Sequence, residues 1–151
     1  MGLEYSLHLI EKIDAQQLIS LADADVETSV SLSGALHADI PYANGIFNVH
    51  AWTVTMPLAP PSETLYLHTF GAIPQTQMSF ITGWENAHSA RRAILRIVLR
   101  ILEIVPGDAF LMHLADELLL SRKLDQLTFK WGYWSLDELT TLKLRDAALE
   151  K

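Results

Sequence analysis

Between Ala87 and Val105 apolar residues return every three or four positions: Ile94, Ile97, Val98, Ile101, Leu102 and Val105. That spacing puts them on one side of a helix. Arg92, Arg96 and Arg100 form a second stripe on the same helix. A helix with one oily face must bury it against another layer, so the rest of the chain has to supply a surface for it. Asn86 is placed to cap the start, and Pro106-Gly107 to stop the helix.

The remaining segments are short and mostly strand-like. Tyr5, Leu7 and Leu9 alternate with Ser6 and His8, which predicts a half-buried strand over Glu4–Ile10. The same stretch matches a myristoylation pattern through Gly2 and Ser6, but the alternation reads as a strand. Asp14 and Gln17 have capping-box spacing, and Ile13 and Leu18 have hydrophobic-staple spacing, so a short helix should run from Asp14 to near Asp23. Strands over Val26–Leu36 and Ile46–Met56 flank "HADIPYANG", where Asn44-Gly45 is a hairpin signal. "PLAPPSE" reads as a loop, followed by strands over Leu65–Phe70 and Gln77–Ile81. After the long helix come strands over Ala109–Leu114, Glu117–Ser121 and Gln126–Lys130. A last helix should open at Ser135, with Glu138 completing a capping box and Trp134 stapled to Leu139.

No repeat, low-complexity tract or linker divides the 151 residues, so a single domain over 1–151 is expected. Its predicted class is α+β: an antiparallel β-sheet with one long amphipathic helix packed on a face, plus short N- and C-terminal helices.

Composition narrows function mainly by exclusion. There is no cysteine, which removes disulfide scaffolds, thiolate zinc sites and cysteine nucleophiles. The oily run from Ala93 to Val105 is broken by Arg96, Arg100 and Glu103, so no membrane span is expected and the chain reads as cytoplasmic. Charge is unevenly spread. Residues 1–90 hold nine acids and one base (−8), residues 91–151 nine acids and ten bases (+1), for a net charge of −7. Such a first half repels nucleic acid and attracts a basic protein.

Two histidine constellations invite chemistry. In "FLMHLADELLL", His113, Asp116 and Glu117 lie within five residues, but Ala115-Asp116 falls between two apolar runs where a hairpin turn belongs. His37, His50 and His68 lie on or beside three expected strands, and three imidazoles suit zinc. No His-x-His or His-x-x-x-His is present, however, and space-filling on an aromatic-lined surface explains them as well. Nucleophile-elbow and phosphate-loop motifs are absent. The arginine stripe suits an anion or a solvated face, with Glu103 near Arg100 at helical spacing. The aromatic peak "KWGYW" suits either an interface anchor or closure of the core, with the Trp134 staple favouring closure.

The chain resembles the swarm-inhibition (Sit-type) immunity proteins of bacterial toxin–immunity pairs. The likeness begins in "LEYSLHLI", with its early Glu4-Tyr5, and is best over residues 78–121. There "MSF" (Met78–Phe80) precedes a helix carrying Arg96, and "PGDA" (Pro106–Ala109) leads into a hairpin with Glu117 just past its turn. Ala115-Asp116 stands where Asn-Gly is expected of that hairpin.

The resemblance implies a small cytoplasmic protein that binds and neutralises a toxin by occlusion, without catalytic residues; the histidine spacing separately predicts no metal, and no cofactor is expected. A basic patch on the toxin would meet the acidic half of the chain. Asp23, Asp25 and Glu27 are the expected contacts, joined by Asp39 and Glu63. Two other readings remain open: a small hydrolase or metal-dependent enzyme using His37, His50 and His68, and a structural subunit that self-associates through a sheet edge.

Overall fold

Leu3, Tyr5, Leu7 and Leu9 are all buried on one side of the first strand, and everything else is arranged around that strand. The computed structural model describes residues 2–31, 34–54, 59–114, 117–130, 134 and 148–150. In chain order its elements are β1 (Gly2–Leu9), α1 (Ala15–Ala22), β2 (Ser29–Val30), β3 (Leu36–Tyr42), β4 (Gly45–Thr53), α2 (Pro60–Phe70), β5 (Thr76–Gly83), α3 (Ala87–Ile104), β6 (Ala109–His113), β7 (Glu117–Lys123), β8 (Gln126–Lys130) and β9 (Ala148–Glu150). The strands form one sheet in the order β2-β3-β4-β5-β1-β6-β7-β8-β9. Every pairing is antiparallel except the last, where β9 joins β8 in parallel. The fold is therefore α+β, with eight strands in an antiparallel array and three α-helices among the described residues.

Side-chain alternation gives this sheet two different faces. On one, Ala38, Val49, Phe80 and Tyr5 line up across β3, β4, β5 and β1 and are buried. Helices α1 and α3 pack there, so Leu18, Ile19, Ile94, Ile97, Val98 and Ile101 join the strands in the main core. On the other face α2 covers part of the sheet. Phe70 stacks on Phe110 with ring centroids 4.4 Å apart, and Tyr66 accepts a 2.7 Å hydrogen bond from Gln77 Nε2. Phe70, Phe110 and Met112 form a smaller second core, packed by Ile10, Tyr66 and Leu118.

The helix ends follow their chemistry. The Asp14 side chain accepts from the Gln17 backbone N–H at 3.3 Å and caps α1. Helix α3 is entered from a 3-10 turn over Trp84–Asn86 rather than out of extended chain, and Gly107 (φ 93°) turns the chain away after it. At its far end Arg122 of β7 donates through Nε to Gly107 O (2.8 Å), through Nη1 to Leu102 O (2.6 Å) and through Nη2 to Val105 O. One guanidinium thus satisfies carbonyls that a helix terminus leaves without partners, and sets a cation against its negative end.

Several expectations are corrected. Leu65–Phe70 is not a strand but the second half of α2. Leu65 and Leu67 alternate with Tyr66 and His68 and suggest a pleat. Yet Pro60 and Pro61 open a helix, Gly71 in the left-handed region (φ 76°) closes it, and Tyr66 and Phe70 are one turn apart. Among its described residues Val26–Leu36 supplies Ser29–Val30 and then, as the start of the next strand, Leu36, because the chain turns where Ser31 N–H donates to Ala35 O (2.8 Å) and Gly34 N–H to Ser31 O (3.0 Å). The strand before the hairpin is instead Leu36–Tyr42, within what looks like a loop, and Ala43-Asn44 rather than Asn44-Gly45 makes the turn. Pro41 is tolerated there because β2 pairs only with Leu36 and His37, leaving that edge of β3 open at Pro41. Ala115-Asp116 and the helix expected from Ser135 lie outside the described residues. Trp134 is buried, with its indole N–H donating to Leu119 O at 2.8 Å, and it meets Phe129 edge-on.

Candidate partner-binding surfaces

The histidines do not converge. His37 and His50 are direct neighbours across β3 and β4, with ring centroids 5.0 Å apart. His68 is in the last turn of α2 rather than on a strand. Among the described residues no three His, Asp or Glu side chains come together in a metal-holding group. His37 is engaged locally, 3.0 Å from Asn48 Nδ2 and 3.4 Å from Asp39 Oδ1. His113 and Glu117 face each other across the β6–β7 hairpin, with Nδ1 and Oε1 3.6 Å apart, and Lys130 Nζ lies 2.5 Å from Glu117 Oε2. That Lys130 hydrogen bond holds the half-exposed Glu117 carboxyl below the usual range, against a weaker opposing effect of burial. Glu117 and Lys130 form a cross-strand ion pair that pins β7 to β8, with His113 beside Glu117.

His8 is the other perturbed group. It points from β1 to the α2 side, buried against Phe70 (5.0 Å) and Tyr66 (6.1 Å), and its Nδ1 has no hydrogen-bond partner. Burial pushes its pKa down from the ordinary 6.5 to about 4, so the imidazole is neutral at physiological pH.

The five acids expected to meet a partner fall on two sides of the molecule. Asp23, Asp25 and Glu27 cluster beyond the end of α1, on the helix-covered side. Asp23 closes α1, and its Oδ1 accepts from the Asp25 N–H at 3.1 Å, which fixes the turn. Asp25 and Glu27 are exposed, and none of the three forms an ion pair among the described residues. Asp39 lies between buried Ala38 and Ile40 on β3, so it faces the opposite side of the sheet, beside His37. Glu63 sits in the first turn of α2, where it complements the helix dipole.

Beside the first cluster runs a cleft of about 630 Å³, open to solvent, between α3 and the β3–β4 hairpin. One wall is His88, Arg92, Arg96 and Arg100, four residues at four-residue intervals on α3. Tyr42 and Asn44 stand on the other wall, and Asp23 at one end. Arg100 reaches across to donate to Ala22 O at 2.9 Å. Its expected pairing with Glu103 does not form, since no ion pair joins them. The sequence exposes the arginine stripe but not its opposite wall. His88 extends the four-residue spacing and is the one sequence clue to the cleft's length.

With these surfaces in view, comparison with known proteins is decisive on one point. The SitI3-like family model matches residues 3–138, most of the chain. The chain belongs to the SitI3-like family. The match begins within β1 and extends past β8, so the whole antiparallel array belongs to the SitI3-like match. No curated protein and no solved structure matches. SitI3-like membership is consistent with Sit-type immunity proteins and implies a protein that is not an enzyme.

Proposed function

We propose that this chain is a cytoplasmic immunity protein, a single domain over residues 1–151, that binds its cognate toxin and neutralises it by occlusion. The observation carrying the reading is the family match over residues 3–138. Among the described residues no helix is long and apolar enough to cross a membrane, which is compatible with it. Asp23, Asp25 and Glu27 meet a basic patch on the toxin: they are three carboxylates at alternate positions that form no ion pair among the described residues. Asp39 and Glu63 have local roles, beside His37 and at a helix N-terminus, and are secondary contacts. Complementary charge accelerates encounter and is screened by salt.

The test is co-expression with the toxin gene next to its own. Growth rescue, with a complex recovered in one-to-one ratio and associating more slowly as salt rises, is the expected result. Toxicity unrelieved by the intact protein, with no complex, removes the reading.

A further inference from the structure

From the cleft between α3 and the β3–β4 hairpin, we infer a second, oppositely charged contact: it receives an acidic segment of the partner protein. The inference rests on the immunity reading only for the partner's identity, because the chemistry of the cleft stands by itself. Its α3 wall carries His88, Arg92, Arg96 and Arg100 four residues apart, hence about 6 Å from one to the next along the axis.

Like charges at that spacing repel and weaken a helix unless something offsets them. Among the described residues nothing does so for Arg92 and Arg96. Both are exposed and form no ion pair or side-chain hydrogen bond among the described residues. Glu103, the acid at helical spacing, leaves Arg100 unpaired, and Arg100 is spent on Ala22 O. Two forked guanidinium groups therefore stand free above a cleft floored by Ile40 and Ile97. A volume of about 630 Å³ lies within the range of roughly 300–1,000 Å³ that ligand clefts occupy.

Charge decides which anion fits. Carboxylates at every second residue of an extended segment repeat at about 6.8 Å, close to the arginine spacing. A nucleic acid is disfavoured because its phosphates continue past the cleft into Asp23, Asp25 and Glu27, on a chain of net charge −7. A protein segment can end its acids at the arginines and present a base to Asp23. The partner surface is thus mixed in sign, acidic over Arg92 and Arg96 and basic over Asp23–Glu27. That fixes an orientation as well as an affinity.

The experiment uses the intact chain and a fluorescein-labelled peptide with glutamate at alternate positions, read by anisotropy. Controls are the same peptide with glutamine and a short oligothymidine. The glutamate peptide should bind, lose about tenfold in Arg92→Glu/Arg96→Glu, as two exposed ion pairs imply, and lose affinity with salt. The glutamine peptide should not bind. Arg92→Gln/Arg96→Gln removes the charge without reversal and should weaken binding less, while both variants stay folded, shown by a single cooperative melting transition.

Undiminished peptide binding by both variants overturns the inference, as does absence of binding by wild type. Oligothymidine binding as tight as the peptide overturns the ligand class. In the co-expressed pair, rescue by wild type together with unchanged toxin dissociation in Arg92→Glu/Arg96→Glu discards the cleft and keeps the immunity reading. Peptide binding without rescue does the reverse.

Discussion

The two faces of the sheet are built from the same strands but by different means. The face under α1 and α3 is predominantly apolar, with Thr76 and Thr82 buried at its margins: Tyr5, Leu7, Phe80 and Val49 meet Ile94, Val98 and Ile101 with almost no exposed surface. The face under α2 is mixed, with His8, Gln77 and Ser79 among Phe70, Phe110 and Met112, and α2 leaves its own Leu65 (58%) and Leu67 (47%) exposed. One face is held by area removed from water. The other depends on aromatic stacking, the Gln77–Tyr66 hydrogen bond and an imidazole kept neutral. The first should therefore respond to lost volume, and the second to pH.

The largest effect is expected on the apolar face. Ile101 is fully buried, and Ile101→Ala should destabilise by about 2–5 kcal/mol, measured by denaturant unfolding. A loss below about 1 kcal/mol would mean that α3 does not carry the core.

On the mixed face, His8 titrates in the opposite sense to a histidine that gains a partner. Its folded pKa is near 4 and its ordinary value 6.5, so between these pH values the unfolded chain binds more protons. Stability is present in full above about pH 6.5 and falls as pH drops toward 4, by at most roughly 3 kcal/mol. His8→Leu should flatten that slope in melts across pH 4–7. An unchanged slope would place the acid sensitivity elsewhere.

Smaller effects test the margins. Asp14→Ala removes the α1 cap and should cost about 1 kcal/mol, read as a lower denaturation midpoint with the slope unchanged. Replacing Asp23 and Asp25 by Asn and Glu27 by Gln keeps an acceptor for the Asp25 N–H and should move stability by less than about 0.5 kcal/mol. The same triple change should slow association with the toxin several-fold at low salt. Slower association at every salt concentration would assign these residues a packing role instead of steering.

The contrast between the faces also explains what was legible in the sequence. The apolar face announces itself by period: two on β1, three to four on α3, and a capped start at Asp14. The mixed face has no such signature. Tyr66 and Phe70 are one helical turn apart, but Leu65 and Leu67 between them imitate a strand, and only Pro60-Pro61 and Gly71 give the helix away. β3 is hidden for a related reason, since its outward residues His37, Asp39 and Pro41 read as loop when the partner strand is unknown. The acidic cluster is readable as composition, whereas the cleft beside it needs a wall from residues 42–44 that lies far from α3 in the chain. Segments meeting across long separations leave no local period, so the cleft was the least legible part.

The position of β1 has a consequence for how the molecule comes into being. The strand made before all the others of this sheet, β1, ends up in its middle. Its neighbours are Thr76–Gly83 on one side and Ala109–His113 on the other. Leu3, Tyr5, Leu7 and Leu9 must therefore wait with both ladder edges open until Thr76–Gly83 has been made, and with one edge open until Ala109–His113 follows. Such non-local pairing slows folding and leaves an apolar strand open to misassociation, so chaperone demand should concentrate on the nascent chain rather than on the finished protein.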